Sequence, residues 1–214
     1  MTVKQTRRFV APTLVRLALA VAAIVALAHG WRSTGVTLVA AGSPCGPTVN
    51  PIACENQQAG VPASEWDLGA NADQGIQGFA TDISVKRGDT VFFKINTPAP
   101  QYAIDIYRLG YYQGNGARKM TAAPITVAGS LPQAACFTDA TSTSPGTGLI
   151  DCGNWNVSAS WAVPANAVSG IYLAKMTRTD NGGANHIVFI VRDETSHSGL
   201  LFQTSDETDR KSVV

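Results

Sequence analysis

The chain has 214 residues, of which 45% are hydrophobic and 14% charged, against about 25% charged in an ordinary soluble protein. Its 20 glycines and 11 prolines exclude a coiled coil, and its apolar share excludes a long disordered protein. The net charge of +1 hides an asymmetry, since residues 1–44 hold five bases and no acid while residues 45–208 hold 9 Lys/Arg against 14 Asp/Glu; no basic stripe offers itself to nucleic acid.

Lys4, Arg7, Arg8 and Arg16 precede an unbroken apolar run at 17–28. Such a run rises about 18 Å as a helix, short of the about 30 Å hydrocarbon core of a bilayer. A basic flank, a short apolar run and small residues after it make a secretory signal peptide, predicted as a helix over 1–41 ahead of the folded domain. Cleavage is expected after Ala41, with Ala28 as the other candidate, and an uncleaved signal anchor is the rival reading. Thr6-Arg7-Arg8-Phe9-Val10 loosely resembles a twin-arginine export signal, and Pro44 before Cys45 breaks any lipobox. The expected location is extracellular, or membrane-anchored where the signal stays, with membrane contact only through this segment.

Export changes how Cys45, Cys54, Cys136 and Cys152 read. In an oxidising compartment an even set suggests disulfides, and no C-x-x-C spacing supports zinc. Three pairings exist. The local one, Cys45–Cys54 with Cys136–Cys152, is expected, because it staples the start of the exported part and closes the Thr/Ser/Gly-rich excursion at 138–148. Each bridge is expected to add about 2–3 kcal/mol by restricting the unfolded chain.

Residues 42–75 read as an irregular arm. From Gln77 to Val85 a period-2 pattern places Phe79, Ile83 and Val85 inward, and Lys86-Arg87-Gly88-Asp89 turns the chain. Thr90 to Asn96 alternates again, with Val91, Phe93 and Ile95 on one face and Phe92, Lys94 and Asn96 on the other, until Pro98-Ala99-Pro100. Tyr102, Ile104 and Ile106 form the next buried face, opposite Ala103, Asp105 and Tyr107. A glycine-rich loop at 110–116 and a short strand at Ile125–Ala128 follow. Val157, Ala159, Trp161 and Val163 give another run, with Trp161 placed centrally, and Pro164 to Gly170 reads as a corner between sheets. Ile171–Arg178 and Ile187–Val191 are the last strands, joined by Asn181-Gly182-Gly183. With no helical periodicity after the signal, the strands argue an all-β, immunoglobulin-like antiparallel sandwich over 76–193. A linker over 194–208 and a tail at 209–214 complete the chain.

Candidate chemistry is sparse. His29, His186 and His197 form no metal-ligand pair, and His186, opening a strand, reads as a surface residue. Ser198 lacks the G-x-S-x-G elbow of a nucleophile. Gly110, Gly114 and Gly116 miss the dinucleotide fingerprint and instead let a loop turn beside Tyr111 and Tyr112. Asp82 and Asp105 lie in different strands and could approach each other, yet a glycosidase pair needs a cleft that a filled sandwich lacks. Asp67, Asn71 and Asp73 have the spacing of a weak calcium loop without its D-x-D-x-D-G pattern. Tyr107, Tyr111, Tyr112 and Trp155 are aromatics of the kind that form a sugar platform; the surface-binding candidates kept are Tyr111, Tyr112 and Trp155. No catalytic, cofactor-binding or metal-ligating residue is expected.

The strings NPIACENQQAGVPASEWDLG (50–69), IQGFATDISVKRGDTVFFKI (76–95), YAIDIYRLGYYQGNGARK (102–119), CGNWNVSASWAVP (152–164), SGIYLAKMTR (169–178) and HIVFIVRD (186–193) together resemble one family. They are similar to the N-terminal sandwich region of large secreted bacterial proteins containing an N,N-dimethylformamidase beta (large) subunit-like module. The resemblance implies that LLFQTSD (200–206) leads into that module, and that the enzyme after which it is named is an amidohydrolase with iron held by tyrosine and glutamate. No position here matches those ligands, so iron is expected only in the downstream module and no catalytic residue is carried over. The hexapeptide Asp209 to Val214 departs from the family, and codons that would spell it match a common sequencing-library adapter, so the chain reads as truncated. The expectation is a non-catalytic exported accessory sandwich whose partner is the downstream module of the same polypeptide. The rival is a self-sufficient binder of glycan or a cell-surface component.

Overall fold

The computed structural model describes residues 45–46, 49–128, 132–138, 150–197 and 199. The predicted signal segment with His29, the loop at 139–149, Ser198 and residues 200–214 lie outside them. Two sheets carry the fold. In the first, β1 (Gln77–Ala80), β3 (Thr90–Asn96) and β9 (Ala159–Ala162) stand in the order β1-β3-β9, all antiparallel. In the second, β2 (Ser84–Lys86), β11 (Ala184–Arg192), β10 (Gly170–Arg178), β4 (Gln101–Leu109) and β5 (Ala117–Lys119) follow one another. There β6 (Ile125–Ala128) pairs with the first half of β4, and β5 with its last residues. A two-stranded hairpin, β7 (Phe137–Thr138) with β8 (Ile150–Asp151), stands apart.

This is an all-β sandwich with immunoglobulin-like connectivity, as the alternation predicts. Its corner is locked by the Tyr172 hydroxyl at the start of β10, which donates back to the Val168 carbonyl at 2.7 Å. The inward faces are those read from the sequence. Val91, Phe93 and Ile95 of β3 and Tyr102, Ile104 and Ile106 of β4 are wholly buried. Phe93, Phe189 and Tyr172 stack in series at ring separations of 5.7 Å, and Trp161 joins them while staying partly exposed.

One predicted strand is two. The stretch from Gln77 to Val85 bends at Thr81–Ile83 and changes sheets. Thr81 N–H still donates to Phe92 of the first sheet, whereas the Ile83 carbonyl receives Ile190 N–H from the second, where β2 runs parallel to β11. Ile83, expected inward, is therefore 37% exposed at the crossover, while Val85 enters the core. Both disulfides are the local ones, Cys45–Cys54 and Cys136–Cys152, with Cα separations of 4.8 and 4.4 Å.

The arm is not irregular. It contains α1 (Pro51–Glu55), begun by Asn50, whose side chain accepts from Ile52 N–H at 2.9 Å, and α2 (Ala63–Trp66). Helices this short carry no readable periodicity. They lie over the outward face of the second sheet, where Val61, Trp66 and Leu109 pack on Tyr107, Ala117 and Leu173 as a cluster distinct from the main core. Among the described residues no helix is long and apolar enough to cross a membrane.

Candidate functional site

The distinctive chemistry of the described residues lies under this arm, where β4 meets the glycine-rich loop. An ordinary sandwich strand alternates, but β4 buries Ile106, Tyr107 and Arg108 in succession. Both faces of its end are covered, one by the core and one by the arm. Arg108 is 2% exposed, and its guanidinium is engaged chiefly with backbone. It donates to the carbonyls of Val168 (3.2 Å), Ser169 (2.8 Å) and Leu109 (3.2 Å), and to the Tyr112 hydroxyl at 2.9 Å. A buried guanidinium is tolerated only with such partners.

Tyr112 opens the 3₁₀ turn η1 (Tyr112–Gly114), and it and Gln113 have left-handed φ of 41° and 59°. Non-glycine residues pay about 1–3 kcal/mol for such backbone, which persists where surrounding bonds dictate it. Here the Tyr112 ring is wholly buried and its hydroxyl donates to Glu55 Oε1 of α1 at 2.8 Å. The same oxygen receives Arg118 Nε at 2.7 Å and Nη2 at 2.6 Å. Burial raises the pKa of Tyr112 above the ordinary phenol range against the opposing pull of Arg108. For Arg118 burial works against the charge, and the bonds to Glu55 outweigh it, so its pKa is raised.

A second group lies beside the first. Glu65 of α2 accepts from the Tyr107 hydroxyl (3.3 Å) and faces Lys119 (3.7 Å), which also pairs with Asp105 (3.1 Å). Burial, then the charges of Asp105 and Glu65, raise the Tyr107 pKa strongly. The last carbonyls of α2 are capped from the sheet: Lys175 Nζ donates to Glu65 O at 2.6 Å, and His186 Nε2 lies 2.7 Å from Trp66 O. Burial lowers the pKa of His186, favouring a neutral ring that donates to this carbonyl. Trp66 in turn donates its indole N–H to Asn115 O at 3.1 Å and lies against Gly116, where a Cβ would stand 2.7 Å from the ring. Gly116 has φ +82°, so the loop needs glycine there twice over.

The candidates read from sequence are dispersed. Tyr112 is the buried centre of the first group and not a surface aromatic. Trp155 is 7% exposed, packed on Phe79 of the first sheet at 5.8 Å and bonded to Ala134 O at 2.9 Å. Of the three surface-binding candidates Tyr111 alone is exposed, at 66%, so they share no platform. His186 is half-buried under Trp66 rather than superficial. Asp82 accepts from neighbouring Thr81 at the sheet crossover, far in the topology from Asp105 and its partner Lys119. Asp67 accepts from Gly69 N–H, and Asp73 accepts from Gly75 N–H and faces Arg178 at 3.4 Å, so their carboxylates do not converge. His197 lies beyond β11, exposed.

Sequence reading missed Glu55, Arg108, Arg118 and Trp66. One signal pointed to Arg108: an arginine interrupting the apolar strand YAIDIYRL calls for buried acceptors, which the carbonyls of Leu109, Val168 and Ser169 and the Tyr112 hydroxyl supply. Tyrosine and glutamate, the iron-holding types in the named enzyme, do meet here in Tyr112–Glu55 and Tyr107–Glu65. Arg108 and Arg118 flank the first pair and Lys119 the second, and these fixed positive charges oppose a cation. These residues do not fit an iron site.

No curated protein matches the chain. Among solved structures, the alkylpurine DNA glycosylase AlkC of Pseudomonas fluorescens, bound to DNA containing an abasic site analog, is similar at 11% identity with a TM-score of 0.28. That likeness covers 56% of this chain and 31% of the other, so the chain spans less than a third of its length, and no argument rests on it. The family model that matches opens inside β4 and runs past β11. Over residues 103–208 the chain matches the model of the family described as N,N-dimethylformamidase beta subunit-like, C-terminal.

Proposed function

We propose that this sandwich is a non-catalytic, exported accessory module that supports or positions the amide-hydrolysing module of a dimethylformamidase-like protein. The observation that carries the reading is the state of the polar groups under the arm. Glu55, Arg108, Tyr112 and Arg118 satisfy one another and the backbone, so that none of these four described groups is left as a buried acid, base or nucleophile aimed at solvent. Two disulfides support an oxidising compartment and hence export. The iron and substrate of the family enzyme belong, on this reading, to a neighbouring module.

Formamide and N,N-dimethylformamide hydrolysis by the purified chain, with and without added iron, tests it. No release of amine above buffer is expected, and turnover abolished by Tyr112→Phe would overturn it. A second reading, contact with glycan or a cell-surface component, rests on Tyr111, which stands exposed beside the arm. Retention on a glycan array that is lost in Tyr111→Ala would favour it. Export itself is tested by sequencing the N-terminus of secreted chain, with cleavage after Ala41 or Ala28 expected.

A further inference from the structure

The segment 49–66 is attached to the sandwich as a peptide is attached to a receptor. Its two carboxylates occupy separate cationic seats, Glu55 on Arg118 and Glu65 beside Lys119, each completed by a tyrosine hydroxyl. Val61 adds one antiparallel bridge to the β5 edge, its N–H donating to Ala117 O at 2.9 Å. The carbonyls of Glu65 and Trp66 take Lys175 and His186, and the Trp66 indole fills the notch at Gly116. Edge pairing, charge-matched side chains and an aromatic anchor are the means by which folded domains hold extended peptides.

Two further observations separate this segment from the body. Its apolar contacts form their own cluster outside the main core, so the sandwich interior is complete without it. Both cysteines of the first disulfide precede α2, and the second bridge lies wholly in the body, so no crosslink ties the arm down. The remaining tie is the connector from Asp67 onward. Residues 67–72 are exposed except for Leu68, and their bonds are local: Gly69 N–H to Asp67 Oδ1 and Asn71 N–H to Leu68 O.

We propose that the outward face of the second sheet is a peptide-binding site, that residues 49–66 are its tethered occupant, and that the partner it fits is the same segment of a second copy of this chain. Charge complementarity selects that occupant, since Arg118 and Lys119 face a segment whose two acids are spaced to meet them, and Lys175 caps its backbone. Exchange between copies re-forms every contact and breaks no covalent bond. The connector opens by releasing the local bonds of Gly69 and Asn71, while Asp67 N–H stays bonded to Ala63 O within the arm.

The test uses the full chain with Gly69–Asn71 replaced by the recognition sequence of a site-specific protease, prepared in unlabelled and ¹⁵N-labelled forms. In one arm each form is cut and the two are mixed; in the other they are mixed uncut at high concentration, then diluted, cut and measured at once. Native mass spectrometry reads whether unlabelled arms sit on labelled bodies. Scrambling is expected in both arms, and Arg118→Gln bodies are expected to hold about tenfold fewer labelled arms in competition. Bodies that keep their own arms through days of mixing overturn the proposal, as do bodies that lose their sheet circular dichroism once the arm leaves. Scrambling after cutting, with none between uncut chains, removes the second copy as partner and overturns it too.

Discussion

The two faces of the second sheet are held by different physics. Inward, β4, β10 and β11 present Ile104, Ile106, Met176 and Phe189 to the first sheet, and contact there is almost wholly apolar. Outward, these strands together with β5 meet the arm through charged and hydroxyl groups of Arg118, Lys119, Lys175, His186 and Tyr107, with a small apolar patch around Leu173. Apolar burial is non-directional and scales with area, so the inner face fixes that the sheets pack. Hydrogen-bonded charge has little net stabilising effect when complete and costs much when one partner is missing, so the outer face fixes which segment fits and in what register.

Substitutions that strike one face and spare the other sharpen the contrast. The largest effect is expected from Phe93→Ala, which removes a wholly buried ring from one end of the aromatic stack and should cost about 3–5 kcal/mol in denaturant unfolding, with all strands losing protection together. Next comes Glu55→Ala, expected to cost about 2–4 kcal/mol because it leaves Arg118 and the Tyr112 hydroxyl without their acceptor. Amide exchange should accelerate at 51–66 and 110–118 while β10 and β11 stay protected; uniform loss would erase the distinction. Gly116→Ala should cost about 1–3 kcal/mol through its φ of +82° and its contact with Trp66, visible as a change in Trp66 emission.

The smallest effect concerns acid. Burial depresses the folded pKa of His186 below the ordinary 6.5, with Lys175 adding to this and Asp67 and the Trp66 carbonyl opposing it. Above 6.5 both states are neutral. As pH falls through 6.5 the unfolded ring takes up a proton that the folded ring resists, so stability declines until pH passes the folded value. His186→Gln should flatten the slope of stability between pH 7 and 5. An unchanged slope in that variant would assign it to another group.

What the sequence made legible follows the same division. Period-2 alternation marks β3, β6, β10 and β11 because one face of each is dry, and it gives the bounds of β6 to the residue. It fails at Thr81–Ile83, where Phe79, Ile83 and Val85 keep their parity across a bend that changes sheets. The arm was illegible for another reason. Helices of five and four residues bury too little to show a pattern, and their position depends on Glu55 and Trp66 finding partners some fifty to sixty residues away. Tyr112 was read as superficial because aromatic residues in a glycine-rich loop carry no sign of what will cover them. The cysteine pairing was legible because both loops are short.

The parallel pairing of β2 with β11, Ser84 beside Ile190, bears on how the chain is made. A strand completed early in synthesis has its neighbour about a hundred residues later, and loop closure of that span precedes any reward from the ladder. The first sheet can zip as soon as β9 emerges from the ribosome, but the second keeps an open flank until the last strand arrives. A released chain truncated before Ala184 should therefore bind holdase chaperones through β10, and one that includes β11 to Arg192 should not.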